Sequence, residues 1–159
     1  MRCFLQGLAL CASVTIAAGC SLSSRDVDHR LQGPADPVRP EIALKISPDS
    51  IQLGQDATTL TMNITVTWTG EAPWEGTAPT SMLYDFAVAR GNDEAWRWSE
   101  ELSFAQAITP VTIPAQGTLT YAATWEVPSS IQAGSYTVTG RFIPAQIEAS
   151  QSLRVFAKK

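Results

Sequence analysis

Few residues in this chain are equipped for chemistry. One histidine, His29, and three cysteines, Cys3, Cys11 and Cys20, are spread over 159 residues. Nucleophilic catalysis needs a base beside its nucleophile, and the lone histidine sits in a stretch of prolines and charges. No zinc-ligand spacing, phosphate loop or nucleophile elbow occurs. Carboxylates do come in pairs: Glu71 with Glu75, Asp93 with Glu94, and Glu100 with Glu101. Two acids cleave a glycoside only when a cleft holds them at a set separation, and adjacent acids in turns are usually solvated surface. The sequence therefore assigns no catalytic residue, no metal ligand and no cofactor, and it reads as a non-enzyme. A formal net charge of −4 gives no basic footprint for nucleic acid.

The one thiol with a clear chemical prospect is Cys20. Met1-Arg2-Cys3 is a short cationic start, and Phe4 to Ala18 is mostly apolar, broken by Gln6, Gly7, Ser13 and Thr15. A membrane span needs roughly 20 apolar residues, so this run has the size of a secretory core instead. It ends in Ala17-Ala18-Gly19-Cys20, which resembles a bacterial lipobox with Ala17 where leucine is usual. Small residues fit a signal peptidase, and the freed cysteine can carry a diacylglycerol and an acyl chain. The expected organisation is a signal peptide over 1–19, a lipidated tether over 20–40 and a domain over 41–159. Removal of the signal takes Cys3 and Cys11 with it, which leaves no disulfide in the mature chain. A lipid anchors a protein without making it span. The expected location is thus the bacterial cell envelope, at the outer membrane if the host has one. Residues 21–40 hold three prolines, a glycine and alternating charges, so they read as a flexible leash of about 25 Å.

From Glu41 onward the hydrophobic period is two. Ile42, Leu44 and Ile46 alternate with Ala43 and Lys45. Leu60, Met62, Ile64, Val66 and Trp68 alternate with Thr61, Asn63, Thr65, Thr67 and Thr69. That is the pattern of a half-buried antiparallel strand with threonine on the wet side. Further strands are expected over 82–90, 95–99, 118–126, 135–142 and 150–156, most of them separated by glycine or proline. No convincing helix of ten residues follows the signal. About seven strands with turn signals between them predict an all-β, immunoglobulin-like antiparallel sandwich. At 45% apolar residues the chain can build its core without disulfides.

The segment from Tyr84 to Ser99 says most about its own geometry. Two alternating runs, with Tyr84, Phe86 and Val88 in one and Trp96 and Trp98 in the other, flank Gly91-Asn92-Asp93. Loop length decides which faces meet. A three-residue loop sets Val88 across from Trp96, Phe86 across from Trp98 and Arg90 across from Glu94. All five large side chains then share one face. A one-residue slip would put two tryptophans in water, at about 2 kcal/mol or more each. The odd loop is therefore expected. The same register makes Asp85 and Arg97 diagonal neighbours on the other face. Such a pair is either a sheet-face ion pair, worth about 0–1 kcal/mol if exposed, or part of a recognition patch.

Tyr84-Asp85-Phe86-Ala87-Val88, Trp96-Arg97-Trp98-Ser99 and Phe104-Ala105-Gln106-Ala107 together resemble the BsuPI domain, the family of an intracellular proteinase inhibitor of Bacillus. The resemblance runs on through Ile113-Pro114-Ala115-Gln116-Gly117, Trp125-Glu126 and Gly134-Ser135-Tyr136-Thr137-Val138. It covers residues 60 to 143 or thereabouts. It implies an immunoglobulin-like sandwich with Tyr84, Phe86, Trp96, Trp98, Phe104, Trp125 and Tyr136 as core determinants. It also implies inhibition of a subtilisin-like serine protease. The family's type member works in the cytoplasm, whereas an exported chain would meet its protease in the envelope or outside the cell.

Inhibition needs an exposed, stiff segment to enter a protease. The candidate is the stretch from Gly70 to Thr80, with Glu71, Pro73, Trp74, Glu75 and Pro79. Proline lowers the ordering cost of binding, and an exposed tryptophan is a frequent binding hot spot. Alternatively, Trp74 folds back and caps the sandwich. The partner is then a secreted or envelope serine protease or, on a non-inhibitory scaffold reading, another envelope protein.

Overall fold

The computed structural model describes residues 39–54 and 58–157. The expectations for the signal peptide, for Cys20 and for all of the tether except Arg39 and Pro40 lie outside the described residues. Ten strands follow in chain order: β1 Glu41–Ser47, β2 Ser50–Gln52, β3 Thr58–Thr67, β4 Trp74–Ala78, β5 Tyr84–Arg90, β6 Asp93–Arg97, β7 Thr109–Ile113, β8 Thr118–Val127, β9 Gly134–Phe142 and β10 Ile147–Phe156. Two short 3-10 turns, Trp98–Glu101 and Ile143–Ala145, interrupt them, and no α-helix occurs among the described residues.

Alternation along β3 is what builds the first sheet. Leu60, Met62, Ile64 and Val66 are fully buried, and the threonines between them are not. β3 pairs antiparallel with β1 on one side and with β8 on the other. The second sheet runs β2-β10-β9-β5-β6. All its pairings are antiparallel except that of β2 with β10. Phe86, Val88, Tyr136, Val138, Leu153 and Val155 turn inward from this sheet and meet the first in one core. The fold is an all-β sandwich, as the period of two required.

The two sheets approach closely at Gly140. A Cβ there would lie 2.3 Å from Ile64 Cγ2 and 3.3 Å from both Leu44 and Phe86. A side chain of any size at this position must displace Ile64.

Three strands escape the sequence pattern: β2, β4 and β7. β2 has three residues, and β4 and β7 contain Gly76 and Pro110. Glycine and proline are poor strand signals. The β4–β7 ribbon forms through pairing between residues some thirty-five apart, such as Gly76 with Val111. It closes a second, smaller core of Val66, Val111, Ile113 and Phe142.

Candidate functional site

The β5–β6 hairpin corrects the expected loop. Arg90 faces Asp93 and Ala89 faces Glu94, so the loop has two residues, Gly91 and Asn92. Gly91 has a φ of +61°, as the glycine-first hairpin turn requires. The ladder then slips by one residue, so that Val88 faces Trp96 and Ala87 faces Arg97. Exposed Ala95 is the extra residue of a β-bulge. The odd residue needed to turn Trp96 inward is thus supplied by the strand and not by the loop. Loop length alone sets parity only in an unbroken ladder, and the bulge breaks this one. Arg90 accordingly does not face Glu94.

The ladder stops at Arg97, so Trp98 does not pair across from Phe86. It enters the 3-10 turn and stacks on Tyr84, with ring centroids 4.4 Å apart. From there a row of rings crosses the sandwich. Phe104 lies against Trp98 at 5.8 Å, and Tyr84 stacks on Tyr121 at 4.6 Å. Tyr121 stacks on Phe142 at 5.9 Å, and Phe142 meets Trp74 at 6.1 Å. Burial pushes the Tyr84 and Tyr121 phenols above their ordinary range. Trp96 stacks separately on Trp125, at 5.8 Å. Phe86, Trp125 and Tyr136 are buried, whereas Tyr84, Trp96, Trp98 and Phe104 are half-buried. The Tyr136 hydroxyl donates to the Gln132 carbonyl at 2.9 Å.

Asp85 is the one buried charged residue among the described residues, at 4% exposure. Its Oδ2 accepts a hydrogen bond from Arg97 Nη1 at 2.8 Å. Its Oδ1 accepts the backbone N–H groups of Phe86 at 2.9 Å and Ser99 at 3.3 Å. Asp85 thereby ties the end of β6 and the following turn to β5. Arg97 also holds Glu94 through Nε at 2.9 Å and through Nη2. Hydrogen bonding to Arg97 keeps the Glu94 carboxyl below its ordinary value, and the same contacts with Glu94 and Asp85 raise Arg97. Asp85 is also in register with Arg141, which pairs with Glu148 at 2.9 Å.

The stretch from Gly70 to Thr80 is divided. Its first half is a pinned turn: the Trp68 indole donates to the Ala72 carbonyl at 2.7 Å, and Gln116 N–H donates to the Gly70 carbonyl at 3.2 Å. Glu71, Ala72 and Pro73 stand exposed on it. Its second half is β4. Half-buried Trp74 lies across Gly76 and against Phe142 and packs on the smaller core. This matches the capping alternative and not the free side chain. Glu75 and Pro79 remain exposed. Asp93, Glu94, Glu100 and Glu101 all lie at the surface. No cluster of three metal-ligating side chains occurs among the described residues.

One feature has no counterpart in the sequence reading. An open cleft of about 620 Å³ lies between the β6 end of one sheet and β8 of the other. Trp96, Trp98 and Trp125 line it together with Leu102, Glu101 and Glu126. The alternation showed each residue's face, but only the packing of the two sheets brings these six together.

The family described as BsuPI, intracellular proteinase inhibitor, matches residues 48–146. No curated protein matches the chain. Solved structures resemble it weakly. The alkylpurine DNA glycosylase AlkC of Pseudomonas fluorescens is 13% identical with a TM-score of 0.46, over 75% of this chain and 31% of that one. The sporulation control protein Spo0M of Bacillus subtilis is 12% identical with a TM-score of 0.45, over 77% of this chain and 51% of that one. A CARDB domain from Pyrococcus furiosus is 12% identical with a TM-score of 0.41, over 76% of this chain and 96% of that one. The chain thus spans only a third to a half of the first two.

Proposed function

The chain belongs to the BsuPI family, and we propose that it is a proteinase inhibitor held at the bacterial envelope by a lipid on Cys20. The observation that carries the inhibitor reading is the family match over residues 48–146, whereas the anchor rests on Ala17-Ala18-Gly19-Cys20 in the sequence alone. The proposed target is a subtilisin-like serine protease that is secreted or resides in the envelope. The chain acts by occupying that protease and not by turning over a substrate. The contact is assigned to the turn Glu71-Ala72-Pro73 and the exposed residues Glu75 and Pro79 of the adjoining segment. The two backbone-anchoring bonds at Gly70 and Ala72 favour this choice, because a turn already held in shape loses little entropy on binding. Trp74 supports the turn from beneath and is not itself the contact.

The test is to titrate the full chain, in detergent, against a panel of subtilisin-like and trypsin-like proteases. Stoichiometric loss of activity is expected for at least one subtilisin-like enzyme, relieved by replacing Glu71-Ala72-Pro73 with glycine and serine. No inhibition, together with capture of a non-protease envelope protein, replaces this reading with the scaffold one. The anchor is tested separately. Labelled palmitate should enter the chain in bacteria, and Cys20→Ala should abolish the label and release the protein from membranes.

A further inference from the structure

We propose that the free edge of β8, with the tryptophan cleft beside it, binds an extended segment of a partner polypeptide that carries a lysine or arginine. This site lies apart from the Glu71–Pro73 turn and does not depend on the inhibitor reading.

The phase of the β3–β8 ladder comes from one hydrogen bond at its end. Trp68 N–H donates to the Gly117 carbonyl at 2.9 Å, in line with the register of Thr67 with Thr118. In an antiparallel pair the bonded positions recur every second residue. Leu119, Tyr121, Ala123, Trp125 and Val127 therefore bond to β3. Thr118, Thr120, Ala122, Thr124 and Glu126 point their N–H and C=O groups away from it. β8 ends the order β1-β3-β8, and these outward groups have no partner among the described residues.

Sheet edges are normally guarded by short strands, bulges, proline or lysine. The other edges here are guarded in those ways. β2 has three residues and β4 only five, β6 carries the bulge at Ala95, β7 contains Pro110 and β1 carries Lys45. β8 is ten residues long, has an unbroken ladder, and contains neither proline nor lysine. Along its outward positions the side chains are short until Glu126. An added strand would meet only these exposed short side chains on that face of β8, which suits peptide recognition by strand addition.

The cleft supplies the side-chain preference. Thr124, Trp125 and Glu126 form its β8 wall, and Trp96, Trp98 and Glu101 face them. Leu102, 45% exposed, stands at its rim. Neither Glu101 nor Glu126 makes an ion pair among the described residues, and no cation lines the cleft. Indole faces beside two unneutralised carboxylates attract a guanidinium or ammonium group. A second copy of this chain fits less well. β8 carries no cation of its own, so edge-to-edge pairing of two copies would leave both carboxylates unneutralised.

The test uses the full chain in detergent and a blocked peptide of alternating threonine and valine with one central lysine. Its counterpart has norleucine in place of the lysine. Saturable change of tryptophan fluorescence is expected, with the lysine peptide binding about tenfold tighter. Glu101→Gln with Glu126→Gln should remove most of the lysine peptide's advantage, with the indoles alone retaining about twofold. Ala122→Pro removes an outward N–H and leaves the β3 ladder intact. It should weaken both peptides about tenfold or more at an unchanged melting temperature. The proposal is overturned by no saturable binding, by equal binding of the two peptides, or by undiminished binding to well-folded Ala122→Pro. A dimer that Ala122→Pro dissolves would also overturn it, since a second copy would then hold the edge. If Ala122→Pro does not fold, the peptide pair and the double glutamine variant decide alone.

Discussion

Removing the Asp85 carboxylate should destabilise the domain by about 2–4 kcal/mol, well beyond the 0–1 kcal/mol of an exposed pair. In Asp85→Ala three donors lose their acceptor: Phe86 N–H, Ser99 N–H and Arg97 Nη1. Leaving a buried backbone donor unsatisfied costs about 1–3 kcal/mol. Phe86 is fully buried and falls in that range, whereas half-buried Ser99 falls at its low end. Arg97 is 27% exposed at the side chain and keeps Glu94, so its share is small. Asp85→Asn retains one acceptor oxygen but turns an amide toward the guanidinium. It should cost about half as much, on the order of 1–2 kcal/mol. Arg97→Ala leaves the carboxylate buried with only its two backbone donors, so it should cost at least as much as Asp85→Asn. Urea unfolding followed by tryptophan fluorescence measures all three. The double variant Asp85→Ala with Arg97→Ala isolates the pairwise coupling. A loss below about 1 kcal/mol for Asp85→Ala would refute the argument, because it would mean that water replaces the carboxylate at no real cost.

Three further outcomes follow from the same geometry. Deleting Ala95 turns the bulged hairpin into a plain two-residue one and still sets a tryptophan opposite Val88. It should cost less than about 1 kcal/mol and leave the emission maximum unshifted, whereas a red shift with a loss near 4 kcal/mol would disprove the parity argument. Gly140→Ala places a methyl group against Ile64 and should destabilise by about 1–3 kcal/mol in the same unfolding assay. Arg97 holds Glu94 below its ordinary 4.5, so the stability this supplies is present above 4.5 and is lost as pH falls through the lowered folded value. Glu94→Gln should flatten that part of the acid stability curve, and an unchanged curve would contradict the assignment.

Individual elements show how much the sequence disclosed. β3 was legible except for its end, which comes at Thr67 and not at Thr69, because one face is buried and the other is wet, so composition alternates with the pleat. β8 and β9 were legible for the same reason. The facing of Val88 with Trp96 was also legible, since only one register hides the indole. The means of reaching it was not, because a bulge at exposed Ala95 leaves no hydrophobic trace. The pairing of Asp85 with Arg97 followed from strand parity. The depth of Asp85 did not, since burial depends on the turn that folds over it after Arg97. β4 and β7 were hidden because their signal is a partner some thirty-five residues away, and Trp74 was read correctly only as one of two alternatives.

Sequence alone determined the period, and with it the sandwich, the inward faces and the family resemblance. The alternation is a local quantity, because within an unbroken ladder each residue's face depends only on its position in the pleat. Tertiary structure alone decided the bulge, the row of stacked rings, the seating of Trp74 and the cleft between Trp96 and Glu126. Those depend on which strands end beside one another, and the packing of two sheets sets that through contacts no short window of sequence contains.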